Sequence, residues 1–162
     1  MKVFAVSDYQ EPLRSLIIAK SWSDHSASIQ LAQLLWNMTY IRYQPCDIMV
    51  PVPLHWVRQV RRGYNQAEIM AQHLASKKGC QVQSIIKRVK HTPFQSKLAI
   101  ADRPENVKNA FAALPTAAGV AGKHIMIVDD LMTTGSTLRA MAKELIPYQP
   151  ASITAVVAAR VV

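Results

Sequence analysis

The sequence predicts an open α/β sandwich, a parallel-rich sheet with helices on both faces, and three observations predict it. Apolar residues recur at i, i+3, i+4 and i+7 in three places, the mark of amphipathic helices. Short, continuously apolar runs lie among these segments, as in strands buried on both faces. The helical and extended segments are interleaved along the chain rather than grouped by type, which is the pattern of a layered α/β domain.

Taken in order, Leu31, Leu34, Leu35 and Met38 form the first periodic set, inside a helical amino-terminal segment expected over residues 9–40. A strand is predicted from Ile48 to Val52, and a second helix follows, with Ala67, Met70, Ala71 and Leu74 on one face. The run from Val82 to Ile86 predicts another strand. Residues 89–107, "VKHTPFQSKLAIADRPENV", break the rhythm: they are polar, contain Pro93 and Pro104, and exceed the usual connection length. The expectation for this segment is a mobile lid, partly helical from Asp102 onward. Ile125 to Val128 predicts a buried strand, Leu138, Met141, Ala142 and Leu145 a third helix, and Ile153 to Val157 a last strand.

With 162 residues, half of them apolar and 18% charged, the chain is expected to be a single globular domain over residues 1–162. Its apolar runs, such as Ala155 to Ala159, are too short to cross a bilayer, so a cytoplasmic protein without membrane insertion is expected. Cys46 and Cys80 have no disulfide or metal-knuckle spacing and are expected to be buried or inert thiols. The net charge of +9 is unevenly distributed. Residues 54–110 hold eleven Lys/Arg against three Asp/Glu, a surplus that favours polyanionic ligands, whether a phosphorylated small molecule or a nucleic acid.

The most informative stretch is "KHIMIVDDLMTTGST", Lys123 to Thr137. It places Asp129 and Asp130 at the carboxyl end of a predicted strand, where open α/β sheets bind ligands. Gly135 lets backbone approach a ligand, while helix-start amides and the hydroxyls of Thr133, Thr134, Ser136 and Thr137 suit a phosphate. Two carboxylates beside a phosphate would repel it. Their suitable partners are sugar hydroxyls or hydrated Mg²⁺, which takes carboxylate and phosphate oxygens together. A phosphate, a diol and a metal in one place describe a ribose 5-phosphate. An Asp-led turn with a Ser/Thr helix cap explains one carboxylate and one hydroxyl, but not the combination.

"IMIVDDLMTTGST" resembles the phosphoribosyl pyrophosphate (PRPP) signature of type I phosphoribosyltransferases. "VPVPLHWVRQVRRGYNQAEIMAQHLA", "FQSKLAIADRPENVKNAF" and "SDYQEPLRSLI" are similar to segments of the competence-protein ComF family, so the resemblance covers almost the whole chain. It implies the type I phosphoribosyltransferase-like fold, with Asp129 and Asp130 on the ribose diol and on Mg²⁺, directly or through water. Thr133, Thr134, Gly135, Ser136 and Thr137 would hold the 5-phosphate. Leu54 and His55 would form the pyrophosphate loop, with Arg58, Arg61 and Arg62 close by. Gln95 and Arg103 match the Gln and Arg of the flexible loop that closes over PRPP, and Lys97 and Ile100 stand where many relatives have Gly and Arg. The two cysteines do not form the zinc ribbon that often precedes this domain in the family.

Two functions follow from the resemblance. One is a phosphoribosyltransferase linked to DNA uptake in natural competence, with the acceptor unspecified because no segment looks like a nucleobase hood. The other is a non-catalytic module that binds PRPP, single-stranded DNA or competence-machinery proteins. Lys87, Arg88 and Lys90, at the base of the lid, are the candidate nucleic-acid contacts.

Overall fold

Period-2 alternation in three neighbouring strands divides the core into two layers. The computed structural model describes residues 1–11, 13–19, 25–54, 63–90 and 109–161. Their order is β1 (Lys2–Asp8), α1 (Leu13–Ala19), α2 (His25–Met38), β2 (Ile48–Pro51), α3 (Gln66–Lys78), β3 (Gln81–Val82), β4 (Ile86–Arg88), β5 (Phe111–Ala113), β6 (His124–Met132), α4 (Ser136–Leu145) and β7 (Ser152–Arg160). Strands β1, β7, β6, β2 and β3 form, in that order, one sheet whose neighbours are all parallel. Ile48 and Val50, Ile125 and Ile127, and Ala155 and Val157 pack with Leu138, Met141 and Leu145 of α4. The intervening Met49, Met126, Val128 and Val156 pack with Leu31 and Leu35 of α2 and Met70 and Leu74 of α3. Helices α1, α2 and α3 therefore cover one face, and α4 covers the other.

A second, two-stranded sheet pairs β4 with β5 antiparallel, with Arg88 opposite Phe111. The Val89 amide bonds to the Ala110 carbonyl at 2.8 Å, so both ends of the long polar segment leave from adjacent positions. Residues 91–107 of that segment, with Gln95 and Arg103, lie outside the described residues.

Three elements differ in detail from the sequence expectation. The predicted run from Val82 to Ile86 is divided: β3 ends at Val82 on the edge of the main sheet, and β4 begins at Ile86 in the small one. Strand β6 continues through the acidic pair to Met132, because β7 runs beside it as far as Arg160 and supplies the pairing. Residues 9–40 contain α1 and α2, and β1 precedes them as an edge strand, paired with β7 from Lys2↔Thr154 to Asp8↔Arg160.

Candidate functional site

The chain reverses its winding direction between β2 and β6. From β2, helix α3 leads outward to β3, whereas from β6, helix α4 leads the opposite way to β7. The carboxyl ends of β2 and β6 thus border a topological switch point, where doubly wound sheets open a crevice. β2 and β6 pair from Ile48↔Ile125 to Pro51↔Val128, and one further bond joins the Val52 amide to the Val128 carbonyl at 2.9 Å. Beyond it, Asp129 to Met132 continue beside β7 alone.

Asp129 and Asp130 are half-buried at this open side. The Asp130 amide donates to Asp129 Oδ1 at 2.8 Å, turning the first carboxylate back along the strand end. The chain then enters the Thr133–Thr137 turn, where Gly135 adopts φ +70°. That left-handed conformation favours glycine, and it starts α4 with no side-chain cap on the helix. The N-cap residue therefore offers no side-chain acceptor to the start of α4, and the Ser136 amide instead reaches Thr134 Oγ1 at 3.4 Å. Thr134 Oγ1 donates to Ser136 Oγ at 3.0 Å, while Thr133 Oγ1 is buried with no hydrogen-bond partner. An orphaned hydroxyl and a ten-residue helix with glycine at its N-cap thus follow directly on the half-buried acidic pair at the end of β6.

Arg139 belongs to this turn although sequence reasoning passed over it. Its Nη2 donates to the Thr134 carbonyl at 2.6 Å, and a Cβ placed on Gly135 would lie 3.1 Å from its Nη1. The guanidinium spans the turn from one helical turn downstream and braces the backbone that the hydroxyls share. Only its i+4 spacing from Gly135 could have signalled this.

On the other side of the crevice, Asn65 closes the loop that follows β2. Its Oδ1 accepts from the Ala67 amide at 3.2 Å, capping α3, and its Nδ2 donates to the Val52 carbonyl at 3.0 Å. The two ends of the loop are thereby fixed together beside the β6 turn. Leu54 is half-buried there. His55, Arg58, Arg61 and Arg62 lie outside the described residues. Lys87 and Lys90 are exposed on and just after β4, whereas Arg88 is half-buried with its guanidinium over the Phe111 ring, 5.3 Å from the centroid.

The donor set suits a hard cation: two carboxylates at an open strand end leave room for water and phosphate oxygens to complete an oxygen shell. Among the described residues no group of three or more His, Cys, Asp and Glu could hold a metal on its own. His124, one of the histidines of the sequence, is a packing residue here: its Nδ1 lies 2.8 Å from Ser152 Oγ, and its amide donates to Asp47 at 2.7 Å.

Residues 60–161 match the family model described as the phosphoribosyl transferase domain. The chain is 36% identical over 156 residues to competence protein F of Haemophilus influenzae, covering 89% of this chain and 66% of that protein. It is also 36% identical over 160 residues to the DNA utilization protein YhgH of Escherichia coli K12, covering 94% of this chain and 69% of that protein. The chain thus spans about two thirds of the length of these relatives. In structure it is similar to an allosteric regulatory enzyme of purine biosynthesis, with a TM-score of 0.55 at 19% identity over 82% of this chain and 25% of the other. Glutamine PRPP amidotransferase from B. subtilis gives the same TM-score, 0.55, at 17% identity over 82% of this chain and 26% of the other. The β2/β6 crevice, the acidic pair and the glycine turn thus lie on a type I phosphoribosyltransferase fold, and the chain belongs to the ComF family of competence proteins, with a phosphoribosyltransferase-like domain.

Proposed function

We propose that the β2/β6 crevice binds PRPP together with Mg²⁺, and that the domain uses this site in DNA uptake. The observation that carries the reading is the end of β6 and the turn after it, where an acidic pair, an orphaned threonine hydroxyl and a helix start with glycine at its N-cap are adjacent. Asp129 and Asp130 would accept from the ribose diol or hold the cation. The amides of α4 and the hydroxyls of Thr133, Thr134, Ser136 and Thr137 would take the 5-phosphate, favoured by the helix dipole. Arg139 would keep the turn in its receiving shape. Leu54 and His55, with Arg58, Arg61 and Arg62, are the proposed pyrophosphate side, and Gln95 and Arg103 the proposed cover. When bound, Mg²⁺ would neutralise part of the charge on the pyrophosphate oxygens.

Calorimetric titration with PRPP and Mg²⁺ tests the reading. Saturable binding by the wild type is expected, and the Asp129→Asn/Asp130→Asn double variant should bind at least about tenfold more weakly, a loss of about 1.4 kcal/mol. Its thermal unfolding should stay close to that of the wild type, since both acids are only half-buried. Equal affinity in the folded double variant removes the acids from the site. Pyrophosphate release with an acceptor then separates a transferase from a non-catalytic PRPP-binding module.

A second reading is favoured by the relatives named for competence and DNA utilization and by the exposed Lys87 and Lys90. In it, the basic middle of the chain contacts single-stranded DNA or another competence protein in the cytoplasm. The two readings use different surfaces and are compatible.

A further inference from the structure

Cys46 and Cys80 are 34 positions apart, yet the fold brings their sulfurs to 3.6 Å. Strands β2 and β3 are parallel neighbours with Ile48 opposite Gln81, so the residues just before each strand meet at the base of the sheet. Both side chains are half-buried and pack against the core layer containing Met49, Met70 and Leu74. Lys78 holds the two approaches together. Its Nζ donates to the carbonyls of Ile41 at 3.2 Å, Arg42 at 3.3 Å and Gln44 at 2.8 Å, fastening the segment leading into Cys46 to the helix end leading into Cys80. Their spacing in the sequence does not signal this proximity.

We propose that Cys46 and Cys80 are a redox modification site that forms a reversible intramolecular disulfide. A bonded pair needs a sulfur separation of about 2.05 Å, so closure requires an approach of about 1.5 Å, within reach of side-chain rotation and a small backbone adjustment. With a small-molecule disulfide such as oxidised glutathione as oxidant, one cysteine thiolate attacks it and releases one glutathione thiolate. The second cysteine thiolate then attacks the mixed disulfide and releases the other. Two electrons pass from the pair to the oxidant, and the two thiol protons end on the two released glutathiones.

Burial, followed by the neighbouring Cys80, pushes the Cys46 thiol well above its ordinary range; Lys78 opposes this and Asp47 adds to it. Oxidation is therefore slow near neutrality and quickens as pH rises. The consequence of closure falls on β3, an edge strand of two residues. The Gln81 amide reaches the Asp47 carbonyl at 3.3 Å and the Gln83 amide reaches that of Met49 at 2.9 Å. A bond at the start of β3 limits its fraying, at the end of the sheet opposite Asp129 and Asp130. The inference is independent of what the crevice binds.

The test is to incubate the chain with oxidised glutathione at mildly alkaline pH, then measure free thiols, intact mass and a non-reducing peptide map. The expected result is loss of both thiols and of two hydrogens, a peptide linking Cys46 to Cys80, and exchange of the Gln83 amide slowed on the order of tenfold. Dithiothreitol should reverse all of these. Cys46→Ala and Cys80→Ala, made separately, should each lose the exchange effect. Thiols that stay free, glutathione retained on one cysteine, cross-linked dimers, or a disulfide that leaves Gln83 exchange unchanged would each overturn the proposal.

Discussion

Gly135 concentrates the demands of the site in one residue. Its φ of +70° is strained for any side chain, and the space a Cβ would occupy lies 3.1 Å from Arg139 Nη1. Gly135→Val is expected to cost about 2 kcal/mol in stability. It should also displace Arg139 from the Thr134 carbonyl and weaken PRPP binding beyond what the stability loss explains. Gly135→Ala should show the same sign with a smaller effect. Thermal unfolding and calorimetry on both variants check this, and a Val variant that binds like wild type sinks the phosphate-turn assignment. At this scale the sequence was informative where residue type alone limits the options. Two acids after an apolar run and a glycine among hydroxyls needed no coordinates to raise the proposal of a ligand turn. Arg139 was not legible, because an exposed helical arginine gains a meaning only when the turn folds back within its reach. The burial of Thr133 Oγ1 was hidden for the same reason.

Asn65 shows how an element is positioned by a side chain with two jobs. Asn65→Ala removes both the cap on α3 and the bond to Val52, and should destabilise the fold by about 1–2 kcal/mol in urea unfolding. Asn65→Asp keeps an acceptor for the Ala67 amide but has no donor for the Val52 carbonyl. It should retain the cap's contribution while loosening the loop after β2, which amide exchange at Gly63 and Tyr64 would detect. An Asp variant matching Asn in exchange would mean the Val52 bond does not hold the loop. On the same helix, burial and then Lys77 lower the His73 pKa from 6.5. The unfolded chain therefore takes up a proton on this side chain before the folded one does. Its contribution to stability is complete above about pH 6.5 and is lost as pH falls through the depressed value. His73→Gln should flatten the decline in unfolding free energy between about pH 7 and about pH 5; an unchanged slope assigns the decline to other groups. Elements with full apolar periodicity, α2, α3, α4, β6 and β7, could be read in advance because their burial is one- or two-sided throughout. β1 could not, since its pairing partner Ser152–Arg160 lies at the far end of the chain and its own pattern is only partly buried.

For the molecule as a whole, charge is placed apart from the core. Eight of the nine net positive charges fall in residues 54–110, which include the loop after β2, α3 and the β4 end of the long segment. A single PRPP needs fewer cations than this region offers, and the surplus motivates the nucleic-acid reading. If Lys87 and Lys90 neutralise phosphates of single-stranded DNA, the logarithm of affinity should fall with the logarithm of salt concentration, with a slope of about −0.7 per phosphate contacted. Lys87→Ala/Lys90→Ala should flatten that slope by about 1.4 while leaving PRPP affinity nearly unchanged. Arg88 is expected to behave differently. Its guanidinium lies 5.3 Å from the centre of the Phe111 ring, joining β4 to β5, so Arg88→Ala should lower thermal stability more than it alters the salt slope. Fluorescence anisotropy of a labelled oligonucleotide across a salt series reads the wild type and both variants. A slope that survives loss of both lysines places the DNA contacts elsewhere, and a collapse of PRPP affinity in the same variant assigns these cations to the crevice instead.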